Sequence, residues 1–435
     1  MSSPPAASRS APRRRFLADI TPLRVSPAFR RLWAGQSLAS IGTQLTVVTV
    51  GLQVYALTSS TFAVGLVGLF ALVPLVGLGL YGGSLVDAHD RRTVALVASL
   101  ALWVLALAIA AQAWLQLGSL HLLYGLVALQ SAAFAIDTPA RSAIVPGLVS
   151  REQLPAANAL SGTAQALALT LGPLLAGVLV GAWGFRAAYT VDAVTFLAAL
   201  AGVYRLPPMP PEPGLDGERR RPGWRSVLEG MRFLGTRPNV RMTFLVDLCA
   251  MVFAMPRVLY PALGAVVLGG GARTVGILSA GFAFGSVLAG LFSGRLGGVR
   301  RQGAAVVAAV VVYGSALAAV GVVLVVAPEH AGWRLWVCVG LLAGCGAADA
   351  VSSVFRNTIL QVATPDSMRG RLQGIFIVVV AGGPRLGDLV LGSGAQAAGE
   401  GWAALVGGLL CVLAVLALAR WQRRFVHYDA HHPEA

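Results

Sequence analysis

Polar and apolar positions along this chain alternate over tens of residues rather than over two or four. From Leu32 to Val86 no side chain carries a charge, and comparable apolar stretches, parted by short breaks, recur almost to the C-terminus. A soluble core rarely needs more than about a dozen consecutive apolar residues, whereas about 20 in a helix cross the hydrocarbon of a bilayer. Backbone polar groups in lipid must be satisfied within their own segment, so these runs are expected to be helices. Breaks at Gly, Pro, Ser and charged clusters predict twelve of them, near 32–57, 62–86, 93–115, 120–145, 156–182, 185–205, 241–267, 273–297, 302–327, 332–357, 368–396 and 401–420. Connections as short as 57–62 and 181–185 leave room only for adjacent antiparallel helices.

The one long polar segment, rich in Pro and Arg, divides the chain. The expected layout is an N-terminal tail (1–31), a six-helix bundle (32–205), a linker (206–240), a second six-helix bundle (241–420) and a short tail (421–435). The end of the linker, 224–234, can form an amphipathic surface helix, with Trp224, Val227, Leu228, Met231 and Leu234 opposite Arg225, Glu229 and Arg232. A solvated linker helix is the equal alternative. At an offset of 215, Ala135, Arg141, Ile144 and Gly177 fall on Ala350, Arg356, Ile359 and Gly392. Two parallel six-helix halves of this kind imply a site near the midplane between them.

Composition agrees: 435 residues, 56% hydrophobic and 12% charged, with a mean hydropathy of +0.74. All 33 basic residues are Arg, and 28 of the 33 fall on the side that the alternation gives to both termini and the linker. By the positive-inside rule that side is cytoplasmic. The net charge of +15 is thus a topological signal and a lure for anionic lipid, not a nucleic-acid footprint. Arg13, Arg14 and Arg15 precede a polar stretch rather than an apolar one, so the first span is expected to remain in the mature protein. Cys249, Cys338, Cys345 and Cys411 lie in apolar runs without metal-ligand spacing. A Gly-x-x-x-x-Gly-Lys loop is impossible without Lys, and no metal or nucleophile constellation appears. The chain reads as no enzyme, with no cofactor and no bound metal.

Three stretches carry a resemblance. "GGSLVDAHDRR" (82–92) resembles the loop signature of the major facilitator superfamily, with Gly83, Asp87, Arg91 and Arg92 matching and Ala88 and Asp90 departing. A carboxylate and arginines there can form ion pairs that latch an inner gate. "LGPLLAG" (171–177) is similar to the antiporter signature of exporters in that superfamily, through Gly172, Pro173 and Gly177; Pro and Gly together are expected to bend the helix. "PARSAIVPGLVSREQLPAANAL", "PRVLYPAL" and "AVSSVFRNTILQVATPDSMRGRLQG" together resemble the enterobactin (siderophore) exporter family, a likeness that spans nearly all of the chain. The resemblance implies a multi-pass, monomeric carrier in the bacterial cytoplasmic (inner) membrane, exporting a catecholate-like small molecule. The energy must come from an ion gradient, most simply protons.

Ionisable residues inside membrane helices are costly and by default functional. Asp137 and Arg141, one turn apart, are expected to form a gate ion pair. Arg385 and Asp388 share a face three residues apart and can satisfy each other. Arg257, beside Tyr260, suits an anionic catecholate. Asp247, Asp192 and Asp349 are proton-carrying candidates that the sequence does not rank, with Arg385 and Asp388 as further members of the set. Gln36 and Gln44 lie on overlapping faces of the first helix and can line the cavity or bind a neighbouring helix. A broad drug or macrolide exporter of the same fold is the alternative function, and a non-transporting membrane receptor a more distant one.

Overall fold

A computed structural model describes residues 19–209, 232, 234–292, 299–327, 332–362 and 366–429. Twelve long helices run through them: α1 (Pro27–Thr58), α2 (Thr61–Ala88), α3 (Arg91–Trp114), α4 (Leu120–Ile144), α5 (154–183), α6 (185–204), α7 (Pro238–Val267), α8 (Gly271–Leu291), α9 (Gln302–Val326), α10 (Trp333–Val362), α11 (Asp366–Ala398) and α12 (Glu400–Trp421). The protein is an all-α, multi-pass membrane protein. Of the amphipathic linker segment only Arg232 and Leu234 are described, both helical; the rest lies outside the described residues.

The ends of these helices follow from local chemistry. Ser26, Ser60, Asp90 and Ser119 each accept a hydrogen bond from a first-turn amide of α1, α2, α3 and α4. Ser26 followed by Pro27 starts α1 five residues before the apolar run does, so the expected boundary at 32 is corrected to Pro27. Between α5 and α6 the chain reverses at a single residue, Gly184, whose φ of 77° and ψ of −177° suit only glycine. Pro173 lies inside α5, and the one residue with non-helical φ/ψ within 154–204 is Gly184. In α7, Pro256 and Pro261 fall in a run of 3-10, α and π turns. The Tyr313 hydroxyl of α9 donates to the Ala254 carbonyl at 3.0 Å, where the regular helix stops.

Tryptophans mark the helix ends: Trp114, Trp183, Trp333, Trp402 and Trp421 are all exposed. Arg186 lies over Trp114 and Arg241 over Trp421, at 5.4 and 5.1 Å. Such amphipathic rings at both rims of an apolar surface fit a bilayer's two interfaces.

Among the described residues the two halves meet backbone to backbone at the face opposite the termini. There α5 lies on α8, and α11 on α2. An added methyl on Gly177 would stand 2.7 Å from the Ala272 carbonyl and 3.0 Å from the Gly276 Cα. On Gly392 it would stand 2.9 Å from the Thr61 carbonyl and 3.5 Å from the Gly65 Cα. Gly177 and Gly392 are the residues paired by the 215-residue offset, and each packs on a helix whose contacts are four residues apart. Small residues here let backbone approach backbone. Ser60 donates to Gln396 and Thr61 to Glu400, each at 2.8 Å, across the same rim.

Candidate functional site

The signature loop between α2 and α3 is built from its departures as much as its matches. Gly83 and Asp87 end α2, with side chains outside those described. Arg91 donates to the Ala143 carbonyl at 3.4 Å and Arg92 to the Tyr204 carbonyl at 2.7 Å, so both hold ends of α4 and α6 within their own bundle. Asp90 caps α3 through Thr93 and accepts the Met209 amide at 2.6 Å, while the Arg91 amide donates to the Met209 carbonyl. The motif's non-matching Asp90 thus tethers the start of the linker. Against an upward push from burial, the Thr93 and Met209 amides, the Thr93 hydroxyl and the Arg92 charge hold its carboxyl below the ordinary value.

Near the same end, Arg141 Nε meets Asp137 Oδ2 at 2.6 Å, and Arg141 Nη2 donates to Ser99 of α3 at 2.8 Å. Pair and hydroxyl are all buried. The pair borders a cavity of about 520 Å³ between α1, α4 and α5, whose described lining residues come from the N-terminal half. Gln36 and Gln44 of α1 both line it, with Trp33 nearby and Phe134 and Phe196 opposite. Within the "LGPLLAG" stretch the roles divide. Gly172 packs on Gln44 and Ile41 of α1, whereas the Pro173 carbonyl and Gly177 face Gly276 of α8.

The remaining intramembrane charges sort themselves by partner. Asp247 of α7 pairs with Arg356 of α10, whose second nitrogen lies 3.7 Å from Asp349. Arg356 was not singled out by the sequence, although the repeat aligns it with Arg141. Asp388 is taken by Arg257, with Nε–Oδ1 at 2.9 Å and Nη2–Oδ2 at 2.5 Å. The hydrogen-bonded partner of Asp388 is thus Arg257 of α7 rather than the expected Arg385, which still feels the Asp388 charge. Arg385 stays one turn away, with its carbonyl against Gly68 of α2. Tyr260 is 5% exposed and packed in the core, so its ring offers no face to a ligand in this conformation.

Asp192 stands apart. It is 1% exposed, receives the Thr46 hydroxyl of α1 at 2.6 Å, and its Oδ1 has no hydrogen-bond partner among the described residues. One turn away, Tyr189 donates to Gln53 at 2.7 Å, and Gln53 exchanges amide hydrogen bonds with Gln112. Buried carboxylates are ordinarily paired with a cation; no such cation meets Asp192 among the described residues.

Comparisons with known proteins agree with this arrangement. The chain is 31% identical over 422 residues to the enterobactin exporter EntS of Citrobacter koseri, covering 94% of this chain and 97% of that protein. It is 30% identical over 419 residues to that of Escherichia coli, covering 94% and 96%. A bacterial homolog of the human lysosomal transporter Spinster, in an inward-facing and unoccupied conformation, superposes with a TM-score of 0.69 at 14% identity, over 93% of this chain and 98% of that one. A POT family transporter in complex with 5-aminolevulinic acid gives 0.71 at 11%, over 92% and 97%. These structures share the fold, and the relatives share the sequence; both are membrane transporters rather than enzymes. The model of the transmembrane secretion effector family matches residues 17–434, and the chain belongs to that family, a major facilitator transporter.

Proposed function

We propose that this transporter exports a siderophore-like, catechol-bearing small molecule from the bacterial cytoplasm in exchange for protons. The observation that carries the reading is the likeness to enterobactin exporters over 94% of the chain. The arginine bias puts both termini and the linker in the cytoplasm, in an inner membrane. The face opposite the termini is then the outer one, closed by the α5–α8 and α11–α2 seams, and the cavity beside Arg141 lies in the inner half. Transport follows when the two bundles rock about their interface and the seams part.

Asp192 is the preferred proton carrier, because its charge is uncompensated while Asp247 and Asp349 share Arg356 and Asp388 holds Arg257. A carboxylate with no cation changes its local charge fully on taking a proton, which is what coupling to a gradient requires. Asp137, Arg141, Arg91 and Arg92 organise the inner gate, and the Arg257–Asp388 pair braces α11 where it meets α2. The carrier works as a monomer.

The test is reconstitution in vesicles with an imposed pH gradient. A catechol-bearing solute should move against the proton flow, and collapsing the gradient should stop it. Movement indifferent to the gradient sinks the coupling. Movement of many hydrophobic cations without catechol preference makes the protein a broad drug exporter.

A further inference from the structure

Where α12 leaves the apolar layer, three arginines stand around one hollow. Gly235, Pro238, Arg420, Trp421, Arg423 and Arg424 line a cavity of about 610 Å³ beside the start of α7, and no acidic residue is among its described lining. Arg420, Trp421, Arg423 and Arg424 are all exposed, so a ligand can reach them. Like charges gathered around one hollow repel, and an anion seated among them removes that cost. Guanidinium groups meet phosphate oxygens in forked pairs, which adds geometric fit to the charge.

The corner is built rather than frayed. α12 ends at Gln422, whose φ of −116° and ψ of 69° break the helix, and a short turn, Arg423–Val426, follows. Phe425 and Tyr428 are buried, the Phe425 carbonyl lies against Gly303 of α9, and Arg301 pairs with Asp429 in a single antiparallel bridge. These anchors fix the turn and leave Arg423 and Arg424 on the surface. Arg241 of α7 covers one face of the Trp421 ring at 5.1 Å, which ties α7 to the same corner.

Apolar surface continues from the hollow along α12. Leu409, Leu413 and Leu416 are exposed, and with Arg420 they follow one another at four, three and four residues, a single stripe of the helix. A soluble phosphate would use the arginines and leave the stripe idle, whereas a phospholipid uses both. Trp421 at the junction suits the level between headgroup and acyl chain. We infer that the α7–α12 corner is a binding site for one anionic phospholipid, its phosphate among Arg420, Arg423 and Arg424 and its acyl chains along the leucine stripe. Bound there, the lipid joins the end of the linker at Gly235 to the C-terminal turn. This goes beyond the exporter reading and does not rest on it, since the site is the same whatever the cargo and the coupling ion.

Full-length protein in phosphatidylcholine vesicles, with brominated phosphatidylglycerol as a minor component, tests the site. Bromine quenches a nearby indole, and the signal lost in Trp421→Phe isolates that ring. Quenching of Trp421 should be at least about fivefold stronger than brominated phosphatidylcholine gives at the same fraction. Arg420→Gln, Arg423→Gln and Arg424→Gln should each cut this preference by about twofold to fivefold. Arg151→Gln, which removes an exposed arginine of the N-terminal half, should leave it unchanged. All four arginines are exposed, so these variants keep the packed core. Equal quenching by the two lipids overturns the site. An equal loss in Arg151→Gln does so as well, because the attraction would then follow total charge rather than this corner. Loss of quenching on adding inorganic phosphate at matched ionic strength assigns the hollow to a soluble anion and overturns the lipid. Gradient-driven export in the same vesicles is read separately: lipid preference without export keeps this site and removes the exporter, and export without preference does the reverse.

Discussion

Among the described residues of the N-terminal half the buried charges are one compensated pair, Asp137 with Arg141, and one carboxylate without a cation, Asp192. In the C-terminal half Asp247 and Asp349 share Arg356, and Asp388 is held by Arg257. Yet the seams that join the halves are matched, Gly177 on α8 repeating Gly392 on α2. Backbone packing is alike where the two halves touch, while the charges differ elsewhere. Under the proposed function the C-terminal half is braced by ion pairs and the N-terminal half handles proton and cargo.

The largest expected effect breaks that asymmetry. Asp192→Asn should cost at least about a hundredfold in gradient-driven export, near 2.7 kcal/mol, while Asp349→Asn costs far less. Comparable losses in both, measured in vesicles, would undo the division of labour. Next come the seams: Gly177→Leu and Gly392→Leu should each overpack their contact by about 2 kcal/mol and push the outer face open. Spin-label distances across that face should report equal shifts, and unequal ones would break the pseudo-symmetry. Removing one partner of the Arg257–Asp388 pair should lower thermal stability by about 1–2 kcal/mol, less than for a fully buried pair because the Arg257 side chain is 40% exposed. Exchanging the two residues should restore part of that loss, which Arg385→Asp with Asp388→Arg should not.

The smallest effect is at Asp90. Asp90→Ala should loosen the linker by about 1 kcal/mol or less and speed proteolysis after Met209. Because the folded carboxyl lies below its ordinary value, the tether holds above that value. It is lost as pH falls from about 4 through the lowered one, so acid should mimic the substitution.

Apolar runs made the twelve helices legible, since a bilayer's thickness sets their length before any contact is known. The start of α1 was less visible because Ser26 and Pro27 read equally as loop and as cap. Asp137 with Arg141 was readable because both partners sit on one helix, one turn apart. Arg385 with Asp388, three residues apart, offered a similar sign, but the partner that Asp388 bonds lies on α7, 131 residues away. Asp192 did not stand out among its rivals, because solitude is a property of what surrounds a residue, here Thr46 and Tyr189. Asp90 could have been found, since an Asp three residues before Thr93 at a helix start is a capping signal.

Each ion pair described above lies inside one half; among the described residues the outer face is closed by glycine against backbone and by the hydrogen bonds of Ser60 with Gln396 and Thr61 with Glu400. The dwell time of that closure should be nearly indifferent to ionic strength and should answer instead to whatever squeezes or slackens the surrounding lipid. A cell that changes its membrane's fatty acids would then retune the export rate without touching the protein.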